Sequence, residues 1–307
     1  MCGLFGFINY SGGEINGLSD LTKSLAEESA VRGTDATGIA FRGNKGICIL
    51  KEAKPASEFK IKHSDDIVAL IGHTRHGTQG SEKKNYNNHP FYGRAKTRFA
   101  LAHNGVINND IRLRKELNLP STKVETDSYI AVQLIEHKKK LDFESIRFMA
   151  EKIEGSFSFV VLDEKNNIYL VKGDSPLSII HFPRLKLYVY ASSDEILYRA
   201  LVDSPLFGAL RRWEYEEVEI QEGDILKISA KGRIEKEEFE YSYYQGRNWW
   251  NYGCCCYGRE AEDEYVEGLK SVATYLGYEP EIIDRLLAEG FSTWEVEEYI
   301  YGEYEEW

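Results

Sequence analysis

The chain has 307 residues, is 42% hydrophobic and 29% charged, and carries a formal net charge of −12. No apolar run approaches the roughly 18 to 20 residues of a membrane-spanning helix, and no secretory signal is recognisable at the N-terminus, so a cytoplasmic protein is expected. Acidity without a basic stripe argues against nucleic-acid binding, and five cysteines at positions 2, 48, 254, 255 and 256 make no disulfide framework.

In chain order, LFGFIN (4–9) opens a series of short apolar strands, and LSDLTKSLAEESAVRG (18–33) follows with helical period. Strands are then expected at GIAFR (38–42), GICIL (46–50), IVALIGH (67–73) and RFALAH (98–103). Helices are expected at TDSYIAVQLIEHKKK (126–140) and FESIRFMAEKIEG (143–155). Further strands read as FSFVVLD (157–163), NIYLVKG (167–173), LSIIHF (177–182), KLYVYAS (186–192), EEVEI (216–220) and DILKIS (224–229). Short turns at 42–45, 164–167 and 183–185 favour antiparallel hairpins over parallel crossovers. An α+β fold of two antiparallel sheets with helices outside satisfies this order.

Beyond residue 240 the character changes. Residues 241–307 hold 15 acidic and 4 basic side chains, a balance of −11, against 35 and 34 in residues 1–240, a balance of −1. The expected organisation is a domain over 1–240, an aromatic and cysteine-rich linker over 241–259, and an acidic helical tail over 260–307. Helices are expected in the tail at 260–276, 280–289 and 293–301, with Pro280 at a first helical position and Gly290 and Ser292 as stop and start signals. Ile283, Leu286, Leu287, Val296, Tyr299 and Ile300 would form the core of its final helix pair. Cys254, Cys255 and Cys256 alternate direction in an extended chain and have no neighbouring His or CxxC, so no metal is expected there.

Cys2 carries the sharpest chemical signal. With Met1 removed, it presents a thiol beside its own α-amine, nucleophile and general base in one residue. Their unperturbed pKa values are about 8.5 and about 7.7 to 8.0. Taken alone, the position also fits a structural cysteine at the start of a first strand.

Seven motifs follow in order: CGLFGF (2–7), RGTDATG (32–38), GHTRHGTQG (72–80), NNHPF (87–91), LAHNGVINN (101–109), ETDSYIA (125–131) and GSFSFVVLD (155–163). Together, over roughly residues 2–230, they resemble the class II glutamine amidotransferases, members of the N-terminal nucleophile hydrolases. The resemblance implies a four-layer αββα sandwich, here with a small C-terminal helical appendage. It implies that Cys2 attacks the side-chain amide of glutamine, releases ammonia and leaves a γ-glutamyl thioester for water to hydrolyse.

The resemblance also implies roles for particular residues. Asn104 and the Gly105 N–H would form the oxyanion hole, which needs preorganised donors. Arg75 would hold the substrate α-carboxylate, a task suited to a guanidinium fork, and Asp127 its α-amine. Asp127 also fits a helix N-terminal position, so its two roles could coexist. His76 and Thr78 would line the substrate loop. Arg32, Gly33, Asp35 and Gly38 match a supporting turn, and His89 and Pro90 read as scaffold. His63, His137 and His181 show no partner pattern. No cofactor and no metal are implied. Family members commonly carry an aromatic residue and Ala or Ser where this chain has His76 and Gly77, and His where it has Gln79.

Complete enzymes of this family pass ammonia to a fused synthase domain. Residues 241–307 are too few to house one, so a separate acceptor subunit is expected, docked through the acidic tail 260–307. Two other readings stay open. One is a stand-alone amidase acting on another amide, against which Arg75 together with Asp127 argues; the other is a non-catalytic binding or assembly protein that retains the fold.

Overall fold

Strand β1 (Gly3–Asn9) is buried along its whole length, and its alternation sets the layers: Leu4 and Ile8 face one way, Phe5 and Phe7 the other. A strand wanted apolar on both faces must lie inside a sheet that is itself covered on both sides. The structure, a computed structural model, describes residues 2–204 and 215–241, and farther on 266, 269–270, 273–274, 277–289, 291, 296 and 299–300.

After β1 come α1 (Leu18–Ser29), a 3₁₀ turn at Ala30–Arg32, β2 (Ala36–Gly43), β3 (Gly46–Glu52), β4 (Ala69–Arg75), β5 (Phe91–Arg94) and β6 (Arg98–Ile107). The chain continues through α2 (Asp110–Glu116), α3 (Tyr129–His137), α4 (Phe143–Lys152), β7 (Gly155–Asp163), β8 (Ile168–Lys172), β9 (Ser178–Phe182) and β10 (Leu187–Ala191). It then forms α5 (Asp194–Asp203), β11 (Glu216–Glu217), β12 (Asp224–Ile228) and β13 (Ile234–Glu238). One seven-stranded sheet has the order β11-β9-β10-β1-β4-β2-β3; a six-stranded sheet has the order β13-β12-β8-β7-β6-β5. Every pairing in both sheets is antiparallel.

The sheets face each other across Leu4, Ile8, Ala40 and Ile71 on one side and Ala100, Ala102, Val160 and Leu170 on the other. The outer face of the first sheet packs Phe5, Phe7 and Leu70 against Leu21 and Leu25 of α1 and Leu197 and Ala200 of α5. The outer face of the second packs Leu101, Phe159 and Val161 against Ile130 and Leu134 of α3 and Ile146 and Met149 of α4. This is the expected four-layer αββα sandwich. Helix α4 is closed at its start by a capping box: the Asp142 carboxylate accepts from the Ser145 N–H at 3.0 Å and Ser145 Oγ accepts from the Asp142 N–H at 3.0 Å.

Four elements lie outside the sequence expectation. Strand β13, IEKEE, is an edge strand of mixed charge, and solvent on its flank removes the apolar signature. Strand β5 is four residues long and includes Gly93, where the Phe99 ring occupies the space a Cβ would need. Helix α2 is short and largely exposed. Helix α5 begins at Ser193, whose hydroxyl accepts from the Ile196 N–H at 3.3 Å, a cap the sequence does signal.

The chain divides into two compact units, Met1–Tyr244 and Gln245–Trp307. In the second, a helix at Glu281–Ala288 presents Ile283 to a cluster with Leu269, Ala273, Val296 and Ile300, and Leu286 and Leu287 pack against it half-buried. Tyr299, expected in that core, is 39% exposed, and Pro280 caps the helix instead of starting it. Gly290, Ser292 and the three consecutive cysteines lie outside the described residues. Among the described residues no helix is long and apolar enough to cross a membrane.

Candidate active site

Antiparallel register carries residues far apart in sequence to one end of the sandwich. Strand β1 starts where β4 ends, with Gly3 opposite Thr74, and β2 starts beside the same point, with Ala36 opposite Arg75. Cys2, which precedes β1, therefore adjoins Arg75 and His76. Its thiol donates to the His76 carbonyl at 3.5 Å, and its own carbonyl accepts from Arg32 Nε at 3.2 Å. The turn before β2 closes over this junction. Asp35 N–H donates to the Arg75 carbonyl at 2.9 Å, and Gly77 N–H donates to the Asp35 carboxylate at 2.7 Å. Gly33 touches the Arg75–His76 peptide so closely that a Cβ would stand 2.4 Å from His76 N, which explains a glycine at this point.

The second sheet contributes the far end of β6. Asn104 is fully buried, and among the described residues neither atom of its side-chain amide has a hydrogen-bond partner. Gly105 has φ +129° and stands where a Cβ would meet Ser156 O at 2.0 Å, so no other residue fits. Both residues sit inside the β6–β7 ladder, opposite Ser158 and Phe157, rather than in a turn after the strand. Asp127, just before α3, is also buried. Its carboxylate accepts from Ile107 N–H at 2.7 Å, from Ser128 N–H at 2.7 Å and from Ser128 Oγ at 3.1 Å.

Arg75 is 2% exposed, yet it forms no ion pair among the described residues. One guanidinium nitrogen donates to Asn88 Oδ1 at 2.7 Å; the other donates to the Gln79 and Gly80 carbonyls at 2.7 and 2.5 Å. The loop after β4 is thus wrapped around the cation. Thr78 is exposed on that loop and His76 half-buried, its ring held below the ordinary imidazole value chiefly by burial. Asp127 likewise has no cationic partner in contact. Burial pushes its carboxyl up, while the Ile107 and Ser128 hydrogen bonds and then the Arg75 charge pull it down. Burial also pushes the Cys2 thiol up, and among its neighbours Arg75 opposes this and Asp127 adds to it. Cys2, Arg75 and Asp127 therefore share one electrostatic environment.

Behind the site lie three buried imidazoles. His73 Nε2 donates to the His103 carbonyl at 3.0 Å, His103 Nδ1 pairs with Ser128 Oγ at 2.8 Å, and the His73 and His89 rings stand 4.1 Å apart. Burial pushes His73 and His103 down to about 3 and His89 well below its usual value. Unfolded histidines bind protons near pH 6.5 while these do not, so their contribution is intact above that pH and lost as pH falls toward about 3. His73 and His103 each cost about 1.4 kcal/mol per pH unit in that window. Denaturant midpoints should fall steeply below about pH 6.5, and a midpoint constant down to pH 4 would contradict this.

Several residues outside the sequence expectation take part. Asp35, expected only to support a turn, fastens the loop after β4; Asn88 and Ser128 hold Arg75 and Asp127 in place, and Asn87 ties down Glu125 and Thr126 beside them. The repeated asparagines of NNHPF were the available signal. His181 has partners after all: Tyr10 Oη at 2.6 Å and the Glu216 carboxylate at 3.2 Å, remote in sequence and so invisible to local pattern. His63 pairs with Thr22 Oγ1 at 2.8 Å.

Two antiparallel sheets between helices, with a cysteine before the first central strand, define the N-terminal nucleophile hydrolase fold. A family model described as a glutamine amidotransferase domain matches residues 73–199. The glutamine--fructose-6-phosphate aminotransferase [isomerizing] of Bacillus thuringiensis subsp. konkukian is 36% identical over 187 residues, covering 58% of this chain and 30% of that protein. Its counterpart from Streptococcus agalactiae serotype V is 34% identical over 188 residues, with the same coverage. The chain thus spans about a third of the length of the curated relatives it matches. In fold it is similar to the glutamine phosphoribosylpyrophosphate amidotransferase of B. subtilis solved with ADP and GMP, with TM-score 0.61, 23% identity and coverage of 79% of this chain and 50% of that one. The chain carries a class II glutamine amidotransferase domain.

Proposed function

We propose that this chain is the glutaminase part of an amidotransferase, with glutamine as its substrate. The observation that carries the reading is the pair Arg75 and Asp127, a buried cation and a buried carboxylate with no ion-pair partner among the described residues, both acting on Cys2. Leaving a charge buried without a counter-ion is costly, so such groups are retained where a ligand completes them. A free α-amino acid carries the complementary carboxylate and ammonium.

With Met1 removed, the Cys2 α-amine takes the thiol proton as sulfur bonds to the glutamine side-chain carbonyl carbon. The tetrahedral oxyanion is held by the Asn104 amide and the Gly105 N–H. The proton passes to the leaving nitrogen, the C–N bond breaks, and ammonia departs. Water then cleaves the thioester to glutamate and regenerates the thiol. His76 and Thr78 border the substrate from the loop that Arg75 holds. The ammonia acceptor is proposed to be bound by a separate polypeptide in the cytoplasm, with the acidic segment 260–307 as its docking surface; the balance of −11 over 241–307 suits a basic face.

The test is glutamate release from glutamine by protein with Met1 removed and by protein that retains it. Turnover is expected only from the first, because an acylated α-nitrogen is not a base. Equal silence from both forms in the presence of cell extract would favour a binding protein, and turnover of other primary amides but not glutamine would favour a general amidase.

A further inference from the structure

We propose that Lys51 is a positioning residue for the substrate α-carboxylate: it fixes the Arg75 guanidinium through Asn88 and places a second cation behind the same pocket. This inference rests on the glutaminase reading and names a residue to which that reading gives no part.

Lys51 lies on β3 opposite Gly38, and the absence of a side chain at Gly38 opens the path across β2: a Cβ there would meet His89 O at 2.1 Å and the Lys51 Cβ at 2.8 Å. Through this gap Lys51 Nζ donates to the carbonyls of Asn88 at 2.5 Å and Pro90 at 3.0 Å, and passes 5.2 Å from the centre of the Phe91 ring. The lysine therefore grips the 88–90 segment from beneath. Asn88 is tied on its other sides as well: its Nδ2 donates to Glu82 O at 2.8 Å and to Asn85 Oδ1 at 3.2 Å. The remaining atom, Asn88 Oδ1, accepts from Arg75 at 2.7 Å. Because the guanidinium is planar and its fork must meet a carboxylate edge-on, this acceptor, together with the Gln79 and Gly80 carbonyls, sets the aim of the free edge.

The charge is the second half of the inference. Lys51 has no anionic partner among the described residues. The titratable groups that face it are Arg75 and His73 from β4 and His89 from the 88–90 segment, none of them acidic, while its neighbour across β2 is a glycine. Burial, then the Arg75 charge, pull the lysine down to about 8. A buried cation and a half-buried one with no anion between them are mutually unfavourable, and an incoming carboxylate relieves both. A lysine needed only to hold two carbonyls would not require this arrangement, since a neutral donor would serve.

The experiment compares wild type, Lys51→Met, Lys51→Arg and Asn88→Ala in glutamate release, with glutamine and with glutamine α-amide, which lacks the carboxylate. Lys51→Met is expected to raise KM for glutamine about tenfold, the size of one lost charge-assisted contact, with kcat little changed. KM for the α-amide should stay the same, and Lys51→Arg should restore glutamine binding. Asn88→Ala should show the same carboxylate-selective loss. In wild type KM for glutamine should rise above about pH 8 as the ammonium is lost, and Lys51→Arg should abolish that rise. Equal loss with both substrates, or a fall in kcat alone, would reduce Lys51 to a structural clamp and overturn the proposal. If Lys51→Met does not fold, Asn88→Ala and the Lys51→Arg pH profile decide; flat results from both overturn it. Active wild type with unaffected variants overturns only this inference, whereas wild type that neither turns over glutamine nor binds glutamate overturns the proposed function too.

Discussion

Cys2→Ala should leave glutamate release at the level of an enzyme-free control, a loss of about 10⁴-fold or more, because no other group can take over covalent attack. Among the described residues the only thiol at this site is that of Cys2; Cys48 lies on β3 against the apolar layer beneath α1. The substitution should cost little stability. Cys2 lies before the paired residues of β1, and the one hydrogen bond its thiol makes is a 3.5 Å contact to the His76 carbonyl. Normal thermal unfolding with no turnover is therefore the expected combination, measured by calorimetry and a coupled glutamate assay. Residual turnover near the wild-type rate would remove the nucleophile from Cys2 and with it the proposed mechanism.

Asn104→Leu should lower kcat by about 10²- to 10³-fold while changing KM little, as expected for an interaction made only with the developing oxyanion. Leucine keeps the number and branching of the side-chain heavy atoms, so no cavity is left, although its methyl groups are bulkier than the amide. No protein hydrogen bond is broken, since among the described residues both amide atoms of Asn104 lack a partner. A buried amide with nothing to bond is costly to fold, so this variant should be at least as stable as wild type. Lower activity combined with higher stability is the signature of a group kept for the reaction. Unchanged kcat would place the oxyanion elsewhere.

The layered fold was legible because its central strands are apolar on both faces. LFGFIN, FSFVVLD and KLYVYAS each read as strands within two residues of their observed bounds, and the polar turns between neighbours told antiparallel from parallel. The four elements that escaped are short, charged or half-exposed, so they lack the alternation that burial writes into sequence. Cys2, Arg75, Asn104, Gly105 and Asp127 stood out because each lies in a motif with a chemical rationale. What sequence alone could not supply is register. That Arg75 lies beside Cys2 follows from Thr74 pairing with Gly3. That Asn88 rather than an acid meets Arg75, and that Lys51 stands behind it, depends on a cross-chain packing that no local spacing encodes.

The pairing of β1 has a further consequence for how the chain is made. One neighbour, β4, ends at residue 75, but the other, β10, ends at residue 191, so β1 is made long before its second edge is covered. At about 5 to 20 residues per second, its second edge stays open for roughly ten to forty seconds of synthesis. On the proposed mechanism, Met1 would leave while this edge is still open. Assembly order itself would supply the interval in which the proposed nucleophile is uncovered.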